Sequence, residues 1–556
     1  MLDKKRNDTN FIAQAGILAA AGIISRIIGL LYRSPLSGII GDLGLGYYQS
    51  AYSFYLIVLL ISSYSIPSAI SKVIAQKLAV REYRNAHRLF HGAMIYALVV
   101  GAAASLFLWF GAGIFVEEAA KPVLRTFAPT IFIYAILGVL RGYFQAHKSM
   151  VQTSVSQILE QIANALVSVG AAAILIKTFM GTMEVPADPA GQMSRAIYGA
   201  MGSALGTGTG VFTGLVFMAV AYGVNRRDIL GRVEKDRHEW VDSYGQIFRT
   251  ITLVVTPFIL NTAIYNASDS INTKIFTDLY PAWKSIGTDI TTAHWGIFSG
   301  KANTIAKIPI AFASAMSAAM IPQISHLIST KNYEEARQKV RLGIRTTMLI
   351  SIPCAVGLFV LAGPVTVFLF PNTGNTPEGY RMAQLSLMTL TPSVVFYGLS
   401  TLGSTVLQGL GKLHAPIRNG IAALLAQTAV LLLLLRFTEL DVYAVAVANL
   451  VYSGVMAFLN QRSFRNAIEY RQEIRTTFAL PFVSAVCMGL VAYGVYRLLL
   501  ALTHSPRISV LPAIAAAVPV YLLGCFLLKA LSREDLRALP GGTKLIRIAE
   551  KLRLLK

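Results

Sequence analysis

Apolar residues run along this chain in long blocks, broken by short polar stretches rich in Lys, Arg, Gly and Pro. Each block is about 20 residues or longer, the length an α-helix needs to cross a hydrocarbon core about 30 Å thick. Fourteen blocks can be drawn, centred near residues 21, 60, 102, 133, 164, 210, 258, 312, 355, 394, 425, 452, 488 and 520. The alternating segments of a β-barrel are absent. The pattern predicts an all-α polytopic membrane protein with about 14 transmembrane helices.

The pattern also repeats. APTIFIYAILGVLRGYFQ (128–145) resembles TPSVVFYGLSTLGSTVLQ (391–408), with Pro129/Pro392, Tyr134/Tyr397 and Gln145/Gln408 paired at one constant offset. IPSAIS (66–71) resembles IPQIS (321–325), and each precedes a short loop with a Lys and a Tyr-x-x-Ala: Lys77, Tyr83 and Ala86, then Lys331, Tyr333 and Ala336. The offset corresponds to six helices. An even number keeps both halves in the same orientation, so the predicted symmetry axis lies along the membrane normal, as in parallel-repeat transporters. This divides the chain into an N-lobe (1–228, spans one to six), a C-lobe (229–466, spans seven to twelve) and two added spans (467–532). Residues 533–556 read as a basic amphipathic tail on the inner leaflet, with Leu545, Ile548, Leu552 and Leu555 on one side. Two such lobes predict a central cavity at mid-membrane depth.

Composition changes this picture in one respect. Across 556 residues, 49 Lys and Arg outweigh 27 Asp and Glu, a formal net charge of +22. Most of the cations fall in the N-terminus, the even-numbered loops and the tail, with only Arg26, Lys301 and Lys307 assigned to spans. That bias places both termini in the cytoplasm of a plasma membrane. It makes the basic excess a topology signal with some attraction to anionic lipid, not a nucleic-acid signal. The N-terminal MLDKKRNDTN before an apolar run mimics a secretory signal, but the run is too long for a signal core and is read as the first span. The three cysteines, Cys354, Cys487 and Cys525, all fall in spans and form no CxxC pair or disulfide framework.

Polar residues inside the spans carry the candidate chemistry. Gln157, Glu160, Gln161, Asn164 and Ser168 share one face of the fifth span. Asn261, Tyr265, Asp269 and Asn272 follow at helical steps along the seventh, and Lys301, Asn303, Thr304 and Lys307 begin the eighth. Arg26 and Arg33 lie two turns apart on the first. Lipid penalises such faces, so they point into a bundle or a wet cleft. Amide and hydroxyl stripes equally serve as interhelical hydrogen bonds. Glu160 and Asp269 are read either as coupling-ion sites or as buried partners of Arg26, Lys301 or Lys307. Lys301 and Arg33 have a second reading as snorkelling side chains near the outer interface; Arg26 lies too deep for that. The interior carries more cations than anions, which suits an anionic cargo, and arginine matches phosphate oxygens in bidentate fashion. Arg26, Arg33, Lys301, Lys307, Asn164 and Asn261 are therefore the substrate-binding candidates.

Enzymatic readings find little support. GDLGLGYYQ (41–49) is Gly-rich, but no Lys-Ser/Thr follows it, so it reads as a tight connection between spans one and two. No Walker motif, metal-ligand spacing or catalytic carboxylate pair on a large outer loop is found, so no cofactor is expected. The chain is read as a transporter, not an enzyme.

SRIIGLLYRSPLSGIIGDLGLGYYQSAYSFYLIVLLI, with IPSAISKVIA after it, is similar to the start of bacterial polysaccharide-biosynthesis transporters. These belong to the multidrug/oligosaccharidyl-lipid/polysaccharide (MOP) flippase superfamily, and the resemblance points to its stage V sporulation protein B and YtgP-like branch. It implies a flippase that moves a polyprenyl-pyrophosphate-linked saccharide, such as the peptidoglycan precursor lipid II, from inner to outer leaflet by alternating access. The MurJ-type first-helix pattern Ser-Arg-x-x-Gly-x-x-Arg is met by Ser25, Arg26 and Gly29, and by Arg33 after one extra residue. VLLISSYSI (58–66) lacks that type's second-helix arginine, and Asn303 and Thr304 stand where it has an Asp-Arg pair, with Lys301 and Lys307 nearby. Teichoic and capsular intermediates stay open beside lipid II. The expected partners are a lipid-linked anionic glycan, membrane lipids and wall-synthesis proteins, with Na⁺ or H⁺ coupling or the membrane potential as the drive. The rival readings are an ion-coupled multidrug antiporter of the same superfamily and a non-transporting scaffold of a wall-synthesis complex.

Overall fold

A computed structural model describes residues 21–531, apart from 23, 65, 148, 235, 237–241, 330–331, 372–375 and 413. The amphipathic tail at 533–556 lies outside the described residues. After a helix over 21–31, the long helices are α1 (Arg33–Leu59), α2 (Ile66–Ala79), α3 (Tyr83–Phe110), α4 (Lys121–Ala146), α5 (Met150–Met180), α6 (Pro189–Glu234), α7 (Tyr244–Lys274) and α8 (Thr288–Trp295). They continue as α9 (Asn303–Ser329), α10 (Tyr333–Val360), α11 (Pro377–Gly409), α12 (His414–Phe437), α13 (Val442–Ile468), α14 (Leu480–Thr503) and α15 (Pro506–Leu527). The protein is all-α and polytopic. Among the described residues, 11 helical stretches are long and apolar enough to cross a membrane. The blocks centred at 258 and 312 are the helices α7 and α9, and the block at 21 lies partly outside the described residues.

The outward faces explain the high apolar content. Phe110, Leu166, Phe179, Leu425, Phe458 and Leu490 all stand exposed, as expected where the solvent is lipid. Inside, close approach replaces the hydrophobic drive. Gly202, Gly206 and Gly210 face α5, where an added Cβ would lie 2.3 Å from Ala172 N, 2.1 Å from Ser168 Oγ and 2.6 Å from Glu160 O. The expected connection at 41–49 is tighter than a loop: only Gly41 leaves helical geometry, at φ 70°, a backbone state that glycine adopts without strain.

The chain forms two compact units, residues 1–296 and 297–556. The lobe limits drawn from the repeat, 1–228 and 229–466, are a different division. Sequence symmetry assigns α7 to the second half, whereas packing holds it against α1, α2 and α3. Several contacts fix that end of α7. Ser243 and Gln246 form a reciprocal cap. Lys77 Nζ lies 2.8 Å from Asp242 and 2.9 Å from Glu82, and Arg88 stacks over the Tyr244 ring at 4.7 Å. In the second unit, α14 packs on α10, and Tyr521 of α15 donates to Leu349 O at 3.0 Å. The added spans are thus part of that unit.

Candidate functional site

The helix over 21–31 rests on the polar stripe of α5. Ser25 Oγ lies 3.5 Å from Gln157 O, and a Cβ on Gly29 would meet Gln161 Oε1 at 3.7 Å. The small residues of the Ser-Arg-x-x-Gly pattern therefore seat the helix, while its arginines point elsewhere. Arg26 is exposed and has no hydrogen-bond or ion-pair partner among the described residues. Arg33 is half-buried, within electrostatic reach of Tyr32, Tyr48 and Tyr52, and shares a side-chain hydrogen bond with Tyr32.

Those tyrosines belong to an aromatic wall that the pattern of charges gave no reason to seek. Tyr48, Tyr52 and Tyr55 recur at steps of four and three along one face of α1. The Tyr55 ring stacks on Phe127 of α4 at 4.8 Å, Tyr48 and Tyr52 lie 5.4 Å and 5.8 Å from the same ring, and Tyr48 Oη is 3.3 Å from Thr207 Oγ1 of α6. The signal was present: three tyrosines at helical spacing, about four turns after Arg33 across the Gly41 kink.

The stripe on α5 divides among three neighbours. Glu160 pairs with Arg141 of α4, whose NH2 lies 2.7 Å from Glu160 Oε2 and whose Nε donates to Ser156 Oγ at 2.9 Å. This corrects two expectations. Arg141 is 4 % exposed inside α4 and is not a loop cation. The Glu160 carboxylate takes this arginine, within its own unit, as its partner in place of Arg26, Lys301 or Lys307. Asn164 is buried at the glycine-lined α5–α6 contact and accepts from Ser168 Oγ of its own helix at 2.8 Å, while Ser168 Oγ makes the interhelical bond, to Ser203 O of α6 at 3.1 Å.

On α7, Asp269 is half-buried and Asn272 fully buried, while Ser270 donates to Ser53 O of α1 at 3.0 Å. The side chains of Asn261 and Tyr265 lie outside the described part. In the second unit, Lys301 is fully buried in the π-helical turn Gly296–Ala302, its ammonium 5.8 Å from the centre of the Tyr380 ring. This cation–π contact replaces the snorkelling alternative for Lys301. Lys307 is exposed, Asn303 buried, and Thr304 donates to Ser299 O at 3.1 Å. Among the described residues no three His, Cys, Asp or Glu side chains gather to hold a metal ion.

Residues 11–328 match the family described as polysaccharide biosynthesis protein, and residues 299–433 match the MatE family. Lipid II flippase MurJ of Bacillus subtilis (strain 168) is 24% identical over 553 residues, covering 94% of this chain and 96% of its own. Stage V sporulation protein B of the same organism is 22% identical, covering 96% and 99%. A solved lipid II flippase MurJ in an inward closed conformation shares the fold with a TM-score of 0.63 at 16% identity, covering 92% of this chain and 98% of its own. An inward-facing MATE family multidrug resistance transporter does so with a TM-score of 0.56 at 17% identity, covering 81% and 94%. With more than half its length matched by one family, this chain belongs to the polysaccharide biosynthesis protein family of the MOP flippase superfamily, a family of multi-pass membrane transporters.

Proposed function

We propose that this protein flips a polyprenyl-pyrophosphate-linked saccharide, a lipid II-like wall or polysaccharide precursor, from the inner to the outer leaflet by alternating access. The observation that carries the reading is the pair of arginines where the first helix meets α1, Arg26 and Arg33. Arg33 is held among tyrosines within an apolar bundle, and Arg26 stands two turns away with its guanidinium uncommitted. A lone arginine at mid-membrane depth costs roughly 2.5–3.5 kcal/mol on insertion scales, a cost that an anionic ligand offsets. Arg26 and Arg33 hold the pyrophosphate. The polyprenyl tail stays in lipid.

Both termini lie in the cytoplasm in this reading, and wall-synthesis proteins supply and receive the cargo. Glu160 is engaged by Arg141, so Asp269 is the better candidate for Na⁺ or H⁺ coupling. The membrane potential acting on an anionic cargo supplies about 2.3 kcal/mol per charge per 100 mV without any coupling ion.

The test is leaflet exposure of a polyprenyl-pyrophosphate glycan in proteoliposomes, comparing wild type with Arg26→Ala and Arg33→Ala. Flipping by wild type that is lost in folded variants supports the reading. Unchanged flipping by both variants removes the arginines as ligands. The match of 299–433 to the MatE family favours the multidrug antiporter as the second reading. It requires gradient-driven movement of an organic cation by the same vesicles.

A further inference from the structure

Tyr52 differs from the other rings of the aromatic wall. Tyr48, Tyr55 and Phe127 are 3%, 2% and 0% exposed, whereas Tyr52 is only half-buried. Its ring is braced on three sides: Tyr48 at 5.8 Å and nearly parallel (11°), Tyr55 at 5.7 Å, and Phe127 at 5.8 Å. Arg33 is within electrostatic reach of it. Buried rings thus brace one part-exposed ring near a cation.

Resting on the flippase reading above, we propose that Tyr52 is the platform on which the first saccharide ring of the cargo stacks while Arg33 holds the adjoining phosphate. In a glycosyl pyrophosphate the first sugar is joined to the terminal phosphate through a single oxygen. A sugar-binding surface must therefore lie close to the anion site, and Tyr52 is within electrostatic reach of Arg33. The C–H bonds on one face of a pyranose carry partial positive charge, and the face of an aromatic ring is its negative side. Stacking also removes that apolar sugar face from water, and the phenol oxygen gives a hydroxyl of the sugar a partner. The bracing by Tyr48, Tyr55 and Phe127 holds the ring in place before the cargo arrives, which limits the ordering cost of binding. The neighbouring guanidinium disfavours the aromatic cations that a tyrosine wall would otherwise attract.

The experiment measures binding of two probes to purified full-length protein: polyprenyl pyrophosphate, and the same lipid carrying one N-acetylated hexose. Wild type is compared with Tyr52→Ala, Tyr52→Leu and Tyr52→Trp. The leucine keeps an apolar side chain without a π-face, and the tryptophan keeps a platform. The expected result is a loss of about tenfold in affinity for the glycosylated lipid in the first two, unchanged binding of the bare pyrophosphate, and near wild-type binding of both by Tyr52→Trp. Equal losses for both probes, or none for either, overturn the platform while leaving the flippase reading intact. Wild-type protein that binds neither probe overturns the reading and the platform with it.

Discussion

The two halves of the repeat solve one packing problem in opposite ways. Arg141 on α4 and Ser404 on α11 occupy the same place in the aligned segments 128–145 and 391–408. In the first unit Arg141 forms a buried ion pair with Glu160 and a hydrogen bond with Ser156, linking α4 to α5. In the second unit Ser404 accepts from Asn460 Nδ2 of α13 at 2.9 Å; the same nitrogen reaches Ser400 O at 3.0 Å, and Asn460 Oδ1 accepts from Asn419 of α12 at 2.9 Å. The third helix follows the same contrast. Gly202, Gly206 and Gly210 bring α6 onto α5, whereas Gly454 of α13 has open space where a Cβ would sit. One half uses charge with glycines on its third helix, the other neutral amides with a close-approach glycine, Gly403, on α11. A buried ion pair is demanding of both partners, because neither can be removed without stranding the other in a low dielectric. A neutral network is more forgiving, since the unfolded chain in a membrane also finds partners for its amides.

That contrast fixes an order of effects, all readable by thermal unfolding in detergent. Glu160→Leu strands the Arg141 guanidinium and is expected to cost about 3–5 kcal/mol, with Arg141→Leu/Glu160→Leu recovering most of the loss. A double variant as damaged as the single one would break the comparison. Next comes Gly206→Ala, whose Cβ would lie 2.1 Å from Ser168 Oγ and 2.4 Å from Ser168 N. Separating the helices should cost about 1–3 kcal/mol despite the gain in helix propensity.

Asn460→Ala removes three hydrogen bonds among neutral groups, and about 1–2 kcal/mol is expected, well below the loss for Glu160→Leu. A smaller effect comes from Glu117, a carboxylate without an arginine, which accepts from Thr292 Oγ1 at 2.8 Å. Burial, assisted by Asp278 and Asp289, pushes its pKa above the usual carboxylate range against the pull of Thr292 and Thr288. Its folded pKa thus exceeds the unfolded one, so its contribution is full below the unfolded value and lost as pH rises through the folded one. Glu117→Gln should flatten the decline in melting temperature above that range and raise it slightly at pH 7.5. Smallest of all, Gly454→Ala should change stability by at most about 1 kcal/mol and in the favourable direction.

Periodicity on α5 placed Gln157, Glu160, Asn164 and Ser168 on one polar face, and the structure keeps them there. It does not keep them together in role. Gln157 meets the first helix, Glu160 meets α4, and Asn164 and Ser168 meet α6. Helical spacing gives the direction of a side chain but not the neighbour it faces. Arg141 shows the complementary error. Charge near the end of an apolar block reads as a loop, because hydropathy weighs each residue without its partner, and the partner lies 19 residues on, in the next helix.

The sequence by itself determined the helical, membrane-spanning class and showed the internal repeat. These follow from local quantities: block length and constant offset. Only the tertiary structure decided that Arg33, not Arg26, is ringed by tyrosines, that Glu160 belongs to Arg141, and that α7 packs with the first unit. Each of these is a choice of partner across helices. In a lipid-solvated bundle, close packing and the pairing of buried charges make that choice, and neither is encoded in any one stretch of chain.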